Sequence, residues 1–135
     1  MKQPVPVHVT EAEAAQSTET LYAAGYFLFQ QGNFADAAAV FRWMLQVAPT
    51  DERSWLALAE CHERVHQPWI ALELYSTGTV AAEPSARCWL GRGRALSALE
   101  RPDEAEAAFA EAVRLAQASN DVNLTELVEA VRCGS

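Results

Sequence analysis

The feature that most constrains this chain is an internal repeat: slid against itself by 34 residues, the sequence places Leu21, Trp55 and Trp89 in one column. The same offset aligns Gly25 with Ala59 and Gly93, Ala37 with Ala71 and Ala105, and Phe41 with Tyr75 and Phe109. Residue type recurs in these columns, not hydrophobicity alone. A unit this short cannot bury an apolar face by itself, so copies in tandem predict a stack in which each unit covers its neighbour.

Each column has a mechanical reason in a helix–turn–helix unit. The Gly25/Ala59/Gly93 column marks a close crossing of two helices, the Ala column supplies the small partner on the second helix, and the aromatic column fills the space towards the next unit. Between the columns, QGNFADA, HQPWIA and ERPDEA contain Gly32, Pro68 and Pro102, which end one helix and begin another. Pro68 and Pro102 suit the first turn of a second helix, where the missing N–H has no partner to lose. Pro49 and Pro84 fall in the links between units. The period and its small and aromatic positions resemble the tetratricopeptide repeat, which implies an all-α fold. Three tandem helix–turn–helix repeats would form a right-handed superhelix closed by a C-terminal capping helix. The expected helix pairs are 19–31 with 35–47, 53–65 with 69–81, and 87–99 with 103–117. The corresponding division is an N-terminal arm over 1–18, partly disordered or helical, and three repeats over 19–118 (about 19–50, 53–84 and 87–118). A capping helix over 121–133 completes the chain. Within the arm, Thr10-Glu11-Ala12-Glu13 begins like a capping box. In the last helix Leu124, Leu127, Val128 and Val131 share one stripe at helical spacing.

Composition narrows the function. Half of the 135 residues are hydrophobic and Ala dominates them, which favours helices. The formal net charge is −8, and nine of the ten basic residues are Arg, scattered without a basic run. Nucleic acid is therefore not an expected partner. No apolar stretch approaches the roughly 20 residues that span a bilayer, and the N-terminus does not read as a signal peptide, so a cytoplasmic protein without membrane insertion is expected. Cys61, Cys88 and Cys133 fit neither a disulfide framework nor a Cys-x-x-Cys metal site, and read as buried or incidental thiols.

No catalytic constellation emerges. Glu104, Glu106 and Glu111 read as a solvated helix face, and Gly91-Arg92-Gly93 lies within a helix and lacks the Gly-Lys-Ser/Thr of a phosphate loop. His62 stands in the column of Leu28 and Leu96 and reads as a hydrogen-bonded histidine at a helix interface. His66, four residues on, begins a turn, so no metal site is expected. Arg92 departs from the Ala24 and Leu58 column. No catalytic residue, metal or cofactor is expected. What remains is a groove lined by the first helices: Tyr22, Tyr26 and Phe29 from the first repeat, Arg53, Leu56, Glu60 and Glu63 from the second, and Arg87, Leu90 and Arg94 from the third. Tyr and Phe offer apolar area at little rotamer cost and Arg offers directed donors, which suits an extended peptide with apolar anchors. Tetratricopeptide proteins that grip the carboxylate tail of heat-shock proteins use Lys and Asn on these helices. The matching positions here hold Tyr22, Tyr26, Leu56, Glu60, Leu90 and Arg94, which disfavours that clamp.

Three segments carry a narrower resemblance: LYAAGYFLFQQGNFADAAAVFRWM, DERSWLALAECHERV and ALELYSTGTVAAEPSARCWL. With Leu21-Tyr22, Asp51-x-Arg53, Tyr75-Ser76-x-Gly78 and Glu83-Pro84-x-x-Arg87, the chain resembles the class II chaperones of bacterial type III secretion over about residues 19–118. The resemblance implies a cytoplasmic chaperone that binds hydrophobic translocator proteins before export and uses no nucleotide. It implies pockets for apolar and Pro side chains at Tyr22, Tyr26, Phe29, Leu56 and Leu90. Members of that family dimerise through a longer N-terminal arm, and the short arm here leaves a homodimer open. A needle-subunit co-chaperone of the same secretion system and a general tetratricopeptide scaffold are the alternative readings.

Overall fold

The computed structural model describes residues 10–134 as seven helices in chain order. These are α1 (Glu11–Gln30), α2 (Phe34–Val47), α3 (Glu52–Arg64), α4 (Pro68–Ala81), α5 (Ala86–Ala98), α6 (Pro102–Ala118) and α7 (Val122–Arg132). Successive helices pack on one another, and α1, α3 and α5 also touch directly, so the first helices form one layer and the second helices another.

The small-residue columns do what their chemistry predicts. A Cβ built on Gly25 would lie 2.4 Å from the Phe41 ring, and one on Gly93 would lie 2.3 Å from the Phe109 ring. In each case the ring of the second helix rests on bare backbone of the first helix of the same repeat. Contact with the following repeat is made the same way, because a Cβ on Gly91 would lie 2.3 Å from Tyr75. Phe41, Tyr75 and Phe109 are buried to 5% exposure or less, and each belongs to one of three apolar clusters that follow one another along the stack.

The turn inside each repeat is also periodic. Gly32, His66 and Glu100, spaced by the repeat length, all have positive φ, at 77°, 61° and 58°. The backbone N–H of the next residue donates back to the helix: Asn33 to Leu28, Gln67 to His62 and Arg101 to Leu96, each at 2.9 Å. This is the left-handed C-terminal cap that glycine normally supplies. Asn120 repeats it at the end of α6, where φ is 58° and Asp121 donates to Ala116. Pro68 and Pro102 open α4 and α6 at the first turn, as expected.

Two expectations need correction. The first helix begins at Glu11, not near residue 19, so residues 11–18, expected as part of an arm that is partly disordered or helical, are helical and continuous with the first repeat; residues 1–9 of that arm lie outside the described part. The start is set by a reciprocal capping box, in which the Glu13 N–H donates to Thr10 Oγ1 at 3.1 Å and the Thr10 N–H donates to Glu13 Oε2 at 3.2 Å. In α7, Leu124 and Val128 are buried against α6, but Leu127 from the same predicted stripe is 47% exposed. Its position turns it away from α6. His62, expected as a hydrogen-bonded histidine at a helix interface, is hydrogen-bonded through Nδ1 to Oε1 of Gln67, the residue before α4, at 2.8 Å. Arg92 avoids the core by laying its guanidinium over the Trp89 ring, 5.2 Å from the centroid.

Three outcomes follow for stability and thiol reactivity. Gly93→Ala should destabilise the fold by about 1–3 kcal/mol through overpacking against Phe109, measured by chemical denaturation. Glu100→Gly should stabilise it by about 0.5–1 kcal/mol by relieving the left-handed backbone, a sign that a helix-interior glycine would reverse. Burial pushes the Cys61 and Cys88 thiols up to about 11, whereas Cys133 is exposed. At pH 8 a chromogenic disulfide reagent should therefore titrate Cys133 at once and the other two only on unfolding.

Candidate functional site

The concave wall is built from α1, α3 and α5, on the side of these helices that carries Tyr22, Leu56 and Leu90. A cavity of about 430 Å³ opens there, lined by Tyr22, Glu52, Arg53, Leu56, Glu60, Arg87, Leu90, Arg94 and Leu127. Seven of the ten expected groove residues meet in it. Tyr26, Phe29 and Glu63 do not, and Glu52 and Leu127 join without having been expected.

Apolar surface comes from three first helices and the cap. Leu90 is almost fully buried and forms floor, Leu56 is half-buried, and Leu127 reaches in from α7. Tyr22 lies at the edge of a run of rings along α1. It stacks on Tyr26 with centroids 5.9 Å apart, Tyr26 stacks on Phe29 at 6.1 Å, and Phe29 meets Phe34 edge-on at 5.1 Å. Tyr26 and Phe29 therefore extend an aromatic stripe away from the cavity instead of lining it. Tyr26 remains 43% exposed.

The charged residues are tied across repeats. Arg53 donates from Nη2 to Asp51 Oδ2 at 2.8 Å and to Glu19 Oε1 at 2.6 Å, and its guanidinium lies 4.9 Å from the Tyr22 centroid. These hydrogen bonds hold the Asp51 and Glu19 carboxyls below the usual carboxylate range. Asp51 also caps α3 by accepting from the Arg53 N–H at 3.0 Å. Glu52 accepts from the hydroxyl of Ser85, the N-cap of α5, at 2.6 Å, and its other oxygen lies 3.9 Å from Arg87 Nε.

A second network explains the displacement of Glu63. The Tyr75 ring is fully buried, but its hydroxyl donates to Glu63. Arg94 Nη2 donates to Glu63 Oε1 and to the Tyr75 hydroxyl oxygen, both at 3.2 Å. Glu63 is thereby drawn to the wall behind the cavity. Burial, with Glu63 adding to it, pushes the Tyr75 phenol far above its ordinary range, so it acts as a hydrogen-bond donor. Glu60 is different: burial raises its carboxyl above the usual range, opposed by Arg94 and reinforced by Glu63. It has no hydrogen bond or ion pair among the described residues.

Of the two unexpected members, Leu127 was visible as part of an apolar stripe in α7, and Glu52 lay between Asp51 and Arg53. Neither could be assigned to the groove without knowing how α7 and the α4–α5 link fold back on the first helices. The assembled surface offers apolar recesses beside a row of fixed charges, which is chemistry for holding an extended chain.

Comparison with known proteins agrees with this architecture. Two models of the tetratricopeptide repeat match residues 18–61 and residues 68–120. Among solved structures, the type III secretion translocator chaperone SycD of Yersinia enterocolitica superposes with a TM-score of 0.82 at 24% identity, covering 90% of this chain and 91% of that one. PcrH of Pseudomonas aeruginosa superposes with a TM-score of 0.80 at 26% identity, covering 93% and 92%. PcrH in complex with the chaperone binding region of PopB gives 0.79 at 26% identity, covering 93% and 98%. The repeat models together account for most of the sequence, and the chain belongs to the tetratricopeptide-repeat family, with the architecture of the type III secretion translocator chaperones.

Proposed function

We propose that this protein is a cytoplasmic type III secretion chaperone. It holds an extended apolar segment of a hydrophobic translocator in the concave groove and keeps that protein soluble and competent for secretion. The observation that carries the reading is the match to PcrH bound to the chaperone binding region of PopB, which covers 93% of this chain and 98% of that one. A second PcrH complex, with the chaperone binding region of PopD, is similar at 27% identity and a TM-score of 0.77.

The groove supports the reading physically. Membrane-seeking segments aggregate in water, and burying each large apolar side chain of such a segment stabilises the complex by roughly 1.5–3 kcal/mol before ordering costs. Tyr22, Leu56, Leu90 and Leu127 offer that burial, and holding a segment in this way calls for no bond-making chemistry. No described helix is long and apolar enough to cross a membrane, in keeping with a chaperone that stays behind when its cargo is exported.

Co-expression with the secreted proteins encoded beside it should give a stable complex with one that carries predicted transmembrane segments. Leu56→Asp, which places a charge in the cavity, should weaken that complex at least tenfold in isothermal titration with the purified cargo segment. Tyr26→Ala, on the stripe outside the cavity, should weaken it less than Tyr22→Ala does. Co-purification with only a short helical subunit lacking transmembrane segments would replace this reading with that of a needle-subunit co-chaperone.

A further inference from the structure

Three guanidinium groups and two carboxylates line the cavity, and their pairing is uneven. Arg53 is bonded to Asp51 and Glu19, and Arg94 to Glu63 and Tyr75. Glu52 accepts from Ser85 and faces Arg87. Arg87 is loosely held, at 3.9 Å from Glu52, but its side chain is half exposed and water solvates it at little cost. Glu60 is the exception, drawn out of water by its surroundings yet lacking a donor among the described residues. Arg94 and, more weakly, Arg64 act on it through space, but the hydrogen bonds of Arg94 go to Glu63 and Tyr75 and the Arg64 guanidinium lies over the Phe29 ring.

A carboxylate partly removed from water without a donor is destabilised, and a donor arriving with a ligand relieves that cost. A neutral donor relieves part of it; a cation also cancels the charge. Leu56 and Leu90 give the cavity apolar surface on the same wall as Glu60, and the Tyr22 phenol lies close enough to feel its charge. The net charge of −8 adds a general attraction for basic segments.

Resting on the groove reading above, we propose that Glu60 is a specificity-determining residue, which accepts a hydrogen bond from a lysine or arginine set between the apolar anchors of the bound segment. The groove thus selects a mixed segment, apolar at its anchors and cationic at one position, over a uniformly apolar one. The fixed ion pairs of Arg53 and Arg94 keep those arginines from competing for Glu60 and from attracting acidic segments.

The test uses the full chain and a defined set of fluorescein-labelled decapeptides, with Leu, Val and Pro anchors at alternate positions and Ser between them. One Ser at a time is replaced by Lys, norleucine or Glu, and binding is read by fluorescence anisotropy. At one position Lys should bind about tenfold tighter than norleucine, and Glu should bind worse than either. Glu60→Gln should erase the Lys preference at that position, so that the Lys and norleucine peptides bind alike, and Glu60→Lys should invert it in favour of Glu. A Lys preference that survives in Glu60→Gln overturns the assignment. So does an equal loss for every peptide, which would mark Glu60 as an acceptor for the peptide backbone. Failure of all the peptides to bind the unaltered protein, or undiminished binding by Leu56→Asp, overturns the groove reading itself.

Discussion

The close contact between an aromatic ring and bare helix backbone governs the rest of this molecule. Phe41, Tyr75 and Phe109 each press on a glycine or alanine of a first helix, and any larger residue there would push the two helices apart. Interior packing at near-crystalline density leaves no slack to absorb such a shift. Phe41 and Phe109 thus set the separation of the two helices within a repeat, and Tyr75 against Gly91 sets how closely the third repeat approaches the second. Tyr75 goes further, because its hydroxyl emerges from the core to anchor Glu63 and Arg94. The same side chain fixes a helix crossing and the position of a charge on the groove wall.

The charges of the wall are themselves organised by the repeat. Arg53 reaches back to Glu19 one repeat earlier, and Arg87 faces Glu52 in the preceding repeat. Exposed ion pairs of this kind add little stability singly. Their effect is directional, since each guanidinium that is occupied by its own chain is withdrawn from general anion binding. A wall that carries arginines on two of its helices, α3 and α5, is therefore less basic than its sequence suggests.

Much of the fold was legible because packing imposes periodicity on residue type. The columns of small and aromatic residues, the two prolines at helix starts and seven of the groove residues all follow from one period and the geometry of a helix pair. The left-handed turns were legible only at Gly32, since His66 and Glu100 occupy the same backbone without the residue that normally announces it. The start of α1 was obscured because residues 11–18 are polar and alternate with alanine, showing no apolar stripe; the capping box was the sole signal. Phe29 and Glu63 miss the cavity for a related reason. Both sit near the ends of their helices, where partners from the turn or the next helix, Phe34 and Tyr75, draw them aside. Such choices between neighbours are decided by tertiary contacts that no helical spacing encodes.

The seating of α7 has a consequence for how much of a partner can be read. Leu124 and Val128 pack against α6 and cover the end face of the third repeat, and the wall among the described residues comprises three first helices. With helix axes about 8–10 Å apart, that wall is roughly 20–30 Å long and accommodates about six to nine residues of extended chain. A cargo many times longer would present only a short label to this surface. Most of its length would remain outside, free to engage other factors while the label is held.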